Sequence, residues 1–533
     1  MYGQQPILYS RSAVNAASYS PFGLPNAALA RGGVFTVFGE NLGPAQSPPL
    51  AFPLGTTLGA VSLTVTQGSV STQAYPIYVS AGQINAIMPS TVTAGLATLR
   101  LFYQNVKSNA ITIEIANSAP GIFAVSGGGF GPGIVQNYVT SANQPLNSQV
   151  EPANPGQVVT IWGTGLGPVT FADNVAPTAG NISTPVSVII GGQPATVAYA
   201  GRTPCCAGVD QVVVTVPSNA ALGCWAPVSI NAGGVVSNTA TMAIAVAGSS
   251  ACDDSGNPLS KLVRGSGTQG FVHFERLDTI ENVAPPDTLV KTMDEIYTRF
   301  YTRPSSPFSF DPYLSYPPAG TCLVHQANGD AYVSKTLRGV LPTSASMSPQ
   351  PNQAYNNGTQ GLTWPTNGAF SSAPIAGTQD GTAFGMNLMT TGGTFTIDPG
   401  GPNQMAINFT LEPPPGWSRP SGILVVPRNA PLALTFNPGD AAAPIAILLY
   451  AYSAAMNSTT EVECLTVPGA QAFTIPADAL SNLPPSYAIR DGSYSNLFIG
   501  TLGINTAATF SNGLVTSGVV LDSSWMSQSV VLR

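Results

Sequence analysis

A twelve-residue phrase that occurs twice constrains the fold more than any other feature of this chain. Residues 33–44 read GVFTVFGENLGP, and residues 157–168 read QVVTIWGTGLGP. The apolar run, the aromatic residue, the glycine, the leucine and the final Gly-Pro recur, whereas the polar pair Glu-Asn in the first phrase becomes Thr-Gly in the second. The residues that shape the fold are therefore repeated, whereas the polar residues that could carry chemistry are not.

Other matches follow the phrase in the same order. They are QINAIMP (83–89) with QVVVTVP (211–217), and SNAITIEI (108–115) with SNTATMAI (237–244). The offset between the copies changes only from 124 to 129 positions. The sequence thus predicts two copies of one domain, the first in residues 1–119 with a short N-terminal extension and the second in residues 120–248.

Each copy has the pattern of a β-sandwich. Short runs of β-branched and aromatic residues end at Gly or Pro, which is typical of strands and turns. Their density predicts an immunoglobulin-like sandwich of about 100–130 residues. Strand alternation places Phe35 and Val37 on one face of the first strand, and Val159 and Ile161 on the corresponding face of the second.

The glycines of the phrase suggest a turn. We expect Gly39 and Gly163 to permit a sharp turn, and Leu42 and Leu166 to fold back over the end of the sandwich. A phosphate-binding loop is disfavoured, because Pro168 stands at the third glycine position and neither a lysine nor a helix pattern follows.

Longer stretches carry a resemblance to a known family. AVNAASYSPFGLPNAALARGGVFTVFGENLGPAQS, YVSAGQINAIMP, APGIFAV and GRTPCCAGVDQVVVTVP resemble the IPT/TIG-type immunoglobulin-like tandem module of secreted bacterial proteins. The resemblance covers about residues 1–252. It implies immunoglobulin-like folds and an extracellular location, and it implies no catalytic residues. The second copy departs from the first by inserting RTPCC where the first has only VSAG.

The rest of the chain has a different texture. A polar linker (249–262) precedes a predicted C-terminal β-sandwich (263–533) of jelly-roll or Greek-key type. Apolar residues spaced by 3 and 4 predict one helix over 285–303. Residues 303–390 are rich in Pro, Ser, Asn, Gly and Gln and too long for an ordinary loop. The predicted fold class is all-β, with tandem immunoglobulin-like sandwiches followed by a larger β-sandwich carrying one helix.

Composition excludes several classes of partner. Charged residues form 8% of the chain, against about 25% in ordinary globular proteins, and the net charge is −7. Without a Lys/Arg cluster we expect no nucleic-acid partner, and without an apolar run of about 20 residues we expect no membrane insertion. A surface so poor in charge favours self-association. The N-terminus lacks the features of a signal peptide, so an export signal would lie outside this numbering.

The cysteines favour disulfides in an oxidising compartment. They are even in number and form no CxxC motif: Cys205, Cys206, Cys224, Cys252, Cys322 and Cys464. Four lie close enough together for two bridges, which leaves one bridge across the last third. Spacing alone leaves the connectivity open.

No residue pattern predicts catalysis, a cofactor or a metal. Both histidines, His273 and His325, are expected to be structural, and no GxSxG motif occurs. The acidic stretches DDSGN (253–257) and QDG (379–381) do not match a calcium loop and are interpreted as polar turns. We therefore expect a non-enzymatic protein.

Two functions remain after these exclusions. The first is a self-associating cell-surface or fibre subunit whose expected partners are other copies of itself, with Ile7, Leu8 and Tyr9 adding as a strand to a neighbouring subunit. The alternative is a secreted protein that binds cell-surface or matrix polysaccharide through Trp364 and Trp417, whereas Trp162 and Trp225 are expected in cores. Four Asn-x-Ser/Thr sequons are candidate glycosylation sites, at Asn181, Asn357, Asn408 and Asn457.

Overall fold

The computed structural model describes the chain apart from fifteen gaps. These are residues 1–4, 255–256, 285–286, 304, 313, 330–343, 349–361, 364–370, 373–379, 386–391, 399–404, 419–423, 486–491, 505–506 and 512–515. For strand residues within 279–303 and 344–409 only the backbone is described. The described chain is almost entirely β structure, as the sequence predicts.

The first copy is a sandwich of two sheets. Its strands are β1 (Ile7–Asn15), β2 (Leu29–Ala30), β3 (Val34–Glu40), β4 (Val61–Gln67), β5 (Val70–Gln73), β6 (Tyr75–Val79), β7 (Gln83–Ile87), β8 (Gly95–Tyr103) and β9 (Val106–Ala116). One sheet has the order β1-β3-β7-β6, and the other has the order β2-β9-β8-β4-β5. All pairs are antiparallel except β2 with β9.

The second copy repeats this pairing. Its strands are β10 (Gly121–Ile122), β11 (Val135–Asn137), β12 (Val158–Thr164), β13 (Gly180–Asn181), β14 (Val186–Ile190), β15 (Gln193–Arg202), β16 (Asp210–Thr215), β17 (Gly223–Ala232), β18 (Val235–Val236) and β19 (Ala240–Ile244). β12 pairs with β16 as β3 pairs with β7, and β14 pairs with β17 as β4 pairs with β8. β15 crosses between the two faces, where the first copy uses β5 and β6.

The residues that strand alternation groups on one face lie on the inner faces of the two sandwiches. Phe35 and Val37 lie in the core of the first sandwich, and Val159 and Ile161 lie in the core of the second, each at most 1% exposed. Leu42 and Leu166 join the same cores, which confirms that they fold back over the sandwich ends.

The predicted role of the phrase glycines is wrong. Gly39 and Gly163 lie inside β3 and β12, and the left-handed backbone comes two residues later in each copy, at φ 56° and 91°. A Cβ at Gly39 would collide with the carbonyl oxygen of Ile7, and one at Gly163 with that of Gly121. Glycine is therefore required because the edge strand β1 or β10 approaches closely.

The C-terminal part is built around one large sheet. Its elements are α1 (Pro258–Arg264), β20 (Gly267–Ala284), β21 (Asp287–Arg303), β22 (Thr321–Asn328), β23 (Ser344–Ser348), β24 (Leu362–Thr363), β25 (Ser371–Ser372), β26 (Asp380–Gly385), β27 (Gly392–Asp398), β28 (Met405–Thr410), β29 (Leu424–Val426), β30 (Leu432–Thr435), β31 (Ile445–Ser453), β32 (Ser458–Leu465), β33 (Ala472–Ile475), α2 (Ala477–Leu480), β34 (Tyr494–Leu502), β35 (Ala508–Phe510) and β36 (Ser517–Leu532). The large sheet has the order β22-β32-β31-β34-β36-β20-β21-β26. Its inner face packs against the β30–β33 pair and α2, which completes the third sandwich.

The helix predicted over 285–303 is wrong. Its described part is the strand β21, which pairs with β20 from Gly267 opposite Arg303 to Ala284 opposite Asp287. The segment is rich in β-branched and aromatic residues, which favour extended backbone. A partner strand along its whole length outweighs the 3–4 spacing of its apolar residues. The two helices in the described chain, α1 and α2, are short.

All three sandwiches contact one another. Val34 and Ile87 of the first copy pack with Ala207 of the second. Trp225 of the second copy lies in a cluster with Phe271 and other residues of the third sandwich. The loop after β1 reaches the third sandwich, where the Ser20 hydroxyl donates to the Gln326 side chain at 3.0 Å.

Candidate functional site

The segment that distinguishes the second copy forms the junction with the first. Arg202 ends β15 and Asp210 begins β16, and these two residues are the last pair of the hairpin. Between them runs a seven-residue loop, 203–209, which contains the inserted Pro-Cys-Cys; we call it the docking loop. In the first copy the corresponding hairpin, β6–β7, is joined by only residues 80–82.

A buried ion pair closes the base of the docking loop. Arg202 is 5% exposed and Asp210 is 1% exposed. The Arg202 guanidinium donates to the Asp210 carboxylate, to the carbonyl of Gly32 in the first sandwich, and to that of Gly167. Asp210 also accepts the Leu166 N–H at 2.9 Å. Burial raises the pKa of Asp210, while Arg202 and the backbone donors oppose that rise.

The tip of the docking loop seats on the first sandwich. Gly208 has φ +72°, and a Cβ there would lie 2.7 Å from Val34 Cγ2 and 2.9 Å from Ile87 Cγ1. The Thr164 hydroxyl donates to the Gly208 carbonyl at 2.7 Å and accepts the Val34 N–H at 2.8 Å. Val34 and Ile87 are both buried and have little room to move away from an added Cβ, so only glycine fits at position 208.

Two further polar contacts hold the same junction. The Asp173 carboxylate accepts the N–H of Ser90 at 2.6 Å and its hydroxyl at 2.7 Å. Leu54 donates its N–H to the Asn174 carbonyl at 2.7 Å, and the Asn174 amide donates back to the Leu54 carbonyl at 3.2 Å. Contacts thus join the sandwiches at three separate places, which restrains rotation between them.

The three disulfides differ in exposure. Cys205 and Cys206, adjacent in the docking loop, are bonded to each other and exposed. The others are buried and connect Cys224 with Cys252, which ties the linker to the second sandwich, and Cys322 with Cys464, which joins β22 to β32. Beside Cys206 a hollow of about 20 Å³ has room for about one water molecule.

The N-terminal segment is not free to be donated. Ile7 and Leu8 pair with Glu40 and Gly39 of β3, and Leu8 is 2% exposed in the core of the first sandwich. Tyr9 continues the same strand and donates its hydroxyl to Glu40 at 2.9 Å. The expectation that residues 7–9 extend ahead of the first domain is therefore corrected: they form its first strand, as Gly121 and Ile122 do in the second copy.

The repeated Ser-Asn pair has a role that sequence reasoning missed. The side chain of Asn109 accepts the N–H of Leu8 at 2.8 Å and donates to its carbonyl at 2.9 Å. Asn238 does the same for Ile122, at 2.8 and 3.0 Å. Each amide thereby occupies the outward backbone groups of an edge strand, where another strand would otherwise pair. The recurrence of this Asn in both copies is the sequence feature from which its structural role could have been predicted.

His273 lies between Ser523 and Glu275, an arrangement with the residue types of a hydrolase triad but not its access to substrate. Its Nε2 is 2.8 Å from Ser523 Oγ, and its Nδ1 is 3.8 Å from Glu275 Oε2. Ser523 is fully buried in β36, and its Oγ accepts the Trp525 indole N–H at 2.7 Å. A substrate carbonyl could not reach that oxygen. The arrangement instead ties β20 to β36.

His325 is half-buried on the face of β22 that is turned away from the core of the third sandwich, and both of its ring nitrogens are buried. Neither of its ring nitrogens has a hydrogen-bond partner among the described residues, and burial lowers the pKa of His325 to about 4. On the neighbouring strand, burial first and then Glu461 raise the pKa of Glu463 well above its usual value. Burial and the nearby glutamates also raise the pKa of Tyr316. All three pKa shifts favour the uncharged forms of these side chains.

The tryptophans give little support to the predicted sugar platforms. Trp417 is 6% exposed and packs in the core of the third sandwich, so its prediction as an exposed platform is wrong. A loop-like sequence concealed a side chain that packs beneath its own loop. Trp364 lies outside the described residues. Trp225 is buried as expected, and Trp162 is half-buried, with its indole N–H donating to Gln136 at 2.8 Å.

The remaining candidates fall on turns and strands. Asn181 and Asn457 are exposed, Asn408 lies on β28 with only its backbone described, and Asn357 lies outside the described residues.

In the acidic stretch 253–257, the Asp254 carboxylate accepts the Cys224 N–H and the Ser260 hydroxyl. Across the described ranges, no three His, Cys, Asp or Glu side chains come together as a metal site would require. In that same part of the chain, no helix is long and apolar enough to cross a membrane.

Comparison with known proteins finds only weak structural likenesses to this chain. No protein-family model matches it, and no curated protein does. One solved structure with some likeness is the plexin A4 extracellular region, at 16% identity over 43% of this chain and 17% of that chain, with a TM-score of 0.15.

Two other solved structures show a similar level of likeness. A tetra-tandem repeat from the extending region of a large adhesion protein matches at 11% identity over 98% of this chain and 99% of its own, with a TM-score of 0.14. SGBP-B from a xyloglucan utilisation locus of Bacteroides uniformis matches at 11% over 76% and 98%, with a TM-score of 0.16. Scores this low carry no argument about function, and the architecture rests on the strand pairing described above.

Proposed function

We propose that the protein is a non-enzymatic extracellular structural protein, a self-associating subunit of a cell surface or fibre. The observation that carries this proposal is the set of buried and half-buried polar contacts between the sandwiches. Arg202 and Asp173 join the first and second sandwiches, Gln326 joins the first and third, and the Asn482 amide donates to the Val236 and Ser237 carbonyls between the second and third. Such contacts suit a load-bearing unit of fixed shape.

Three disulfides and a charge-poor surface support the same proposal. Disulfides persist in oxidising, extracellular compartments. Weak self-repulsion at 8% charged residues favours contact between copies. The two N-terminal sandwiches are proposed to be IPT/TIG-type modules on the residues quoted above. Donation of residues 7–9 is not part of the proposal, because that strand is already paired.

Negative-stain microscopy together with light scattering across a concentration series tests self-association. We expect particles of one compact shape that assemble as concentration rises. Because few charges are involved, assembly should change little with added salt. A monodisperse monomer at every concentration, both in purified protein and in material taken from cells, would contradict the proposal.

One observation keeps polysaccharide binding as a second candidate. A cleft of about 460 Å³ opens between the β17–β18 hairpin and the third sandwich, lined among others by Asn231, Arg428, Asn429, Asp478, Ser481 and Arg533. Amide, guanidinium and carboxylate groups are suited to bonding sugar hydroxyls. A glycan array, repeated with Asp478→Ala, tests this candidate: binding that is lost in the variant supports it, and no binding by the parent protein excludes it.

A further inference from the structure

The exposed disulfide of the docking loop is the one that an external thiol can reach. Cys205 and Cys206 are both exposed, whereas the exposure of the four other cysteines is 0–8%. Thiol–disulfide exchange requires a thiolate to approach a sulfur directly, so access decides which bond reacts first. The three disulfides of this protein are therefore not equivalent toward a reductant.

Breaking this bond should leave the second sandwich folded. The bonded cysteines are adjacent in sequence, so the bond closes almost no chain and restricts the unfolded state very little. The base of the docking loop is closed independently by the buried Arg202–Asp210 pair. The consequences of reduction are thereby confined to residues 203–209.

Those residues are the ones that seat on the first sandwich. Directly after Cys206, Ala207 packs with Val34 and Ile87, and Gly208 fits closely against the same two side chains. The bond between neighbouring cysteines restricts the backbone that presents this tip. We infer that Cys205–Cys206 is a reversible thiol–disulfide exchange site, and that its reduction loosens the contact between the first and second sandwiches.

The chemistry balances with an external dithiol as the reductant. A dithiol thiolate attacks Cys206 Sγ, the Cys205–Cys206 bond breaks, and Cys205 leaves as a thiolate. The Thr203 hydroxyl, 3.4 Å from Cys205 Sγ, is placed to donate to that thiolate. The second dithiol sulfur then displaces Cys206 from the mixed disulfide. Two electrons and two protons pass to the cysteines, and the dithiol becomes a disulfide.

Selectivity is tested on the full chain with dithiothreitol as the dithiol. The protein is exposed for increasing times to graded ratios of reduced and oxidised dithiothreitol, free thiols are trapped with N-ethylmaleimide at each time, and labelled peptides are measured by mass spectrometry. We expect labelling of Cys205 and Cys206 to exceed that of the other cysteines by on the order of tenfold, and to reverse with the oxidised reagent. Equal or earlier labelling of Cys224–Cys252 or Cys322–Cys464 would overturn the inference.

Coupling to the junction is tested by amide hydrogen exchange on the same samples. Selective reduction should speed exchange in residues 32–35 and 86–88, while β4 and β8 stay unchanged as the internal control. The double variant C205S/C206S should exchange at the reduced rate without reductant and should not respond to it. Unchanged exchange at the junction after selective reduction would overturn the coupling, and this outcome can be read from the unmodified protein alone.

Discussion

Asn109 closes the outer edge of the first sandwich by bonding to both backbone polar groups of Leu8. In the second copy the equivalent amide also donates to the Gly129 carbonyl at 2.7 Å, and Asn238 is only 6% exposed. These amides give the repeated Asn the same structural role in both copies. An open sheet edge invites pairing with another chain, and each Asn removes that opportunity.

Asn238→Ala should destabilise the second sandwich by about 1–3 kcal/mol, because buried backbone groups of Ile122 lose their partners. Asn109→Ala should have a smaller effect, since Asn109 is exposed and water can replace its amide. Hydrogen exchange at Leu8 and Ile122, together with urea unfolding, measures both. Thr112→Ala, on the exposed side of the same strand as Asn109, is the control. Unaltered protection of Ile122 in the Asn238 variant would contradict the assignment.

Gly39→Ala should displace β1 and destabilise the first sandwich by about 1–3 kcal/mol, because the added methyl group meets the Ile7 carbonyl. Gly82→Ala is the matched control: its nearest neighbour is the Gly39 carbonyl oxygen, at an unstrained 3.8 Å. Thermal unfolding of both variants makes the comparison. A turn function for Gly39 would instead leave the pairing of Ile7 intact, with protected amides along β1.

How much the sequence could predict depends on how local each determinant is. Phe35 and Val159 could each be grouped with the residue two positions later on one strand face, because strand alternation is local and occurs twice. The structure shows that this face is the inner one. The role of Gly39 could not be predicted, because it depends on Ile7 in β1, which lies far from Gly39 in the sequence and has little sequence likeness to its counterpart near Gly121. The strand over Asp287–Arg303 was hidden for a similar reason, since β20 decides its conformation and its own apolar spacing does not.

The sequence of the docking loop predicted only part of what the loop does in the structure. Its cysteines were visible in the sequence as candidates for disulfides, yet adjacency gave no reason to bond them to each other. Its contact with Val34 could not be foreseen, because domain interfaces leave no periodic pattern. The structure shows that the insertion forms part of the junction between the copies in addition to carrying a disulfide.

Arg202→Met should destabilise the protein by about 3–5 kcal/mol, because it leaves the Asp210 carboxylate buried without its cation. The double variant Arg202→Met/Asp210→Leu should recover much of that loss, since no buried charge remains. Arg100→Met is the control, because the Arg100 guanidinium only donates to the Ser108 carbonyl in a partly exposed position. Unfolding by guanidinium chloride gives the three free energies. A double variant no more stable than Arg202→Met would refute this account of the pair.

His325 should make the protein sensitive to acid. Burial lowers the pKa of His325 to about 4 in the folded chain, from an ordinary 6.5. Between pH 4 and pH 6.5 the histidine is therefore protonated in the unfolded chain and neutral in the folded chain. Stability is therefore lost as pH falls from 6.5 to 4, by about 3 kcal/mol in total. Glu463 acts with the opposite sign, because its raised pKa makes stability fall as pH rises above 4.5.

His325→Leu isolates the histidine from these other groups. The difference in free energy of unfolding between the parent and this variant should decrease by about 3 kcal/mol from pH 7 to pH 4. Urea unfolding at several pH values measures the difference. If it stays constant with pH, the ring is not held neutral by burial.

The three disulfides should contribute to stability in the order of the chain they enclose. Cys322 and Cys464 are 142 positions apart, so losing their bond should destabilise the protein by about 5 kcal/mol in the chain-entropy model. Cys224 and Cys252 are 28 apart, which corresponds to about 3.5 kcal/mol, and the adjacent pair Cys205–Cys206 should contribute little. Thermal unfolding of the three double Cys→Ser variants, made in one background, gives the order directly. If the Cys205–Cys206 variant were the least stable, the docking loop would be holding the global fold, and its disulfide could not be exchanged while the sandwiches stay folded.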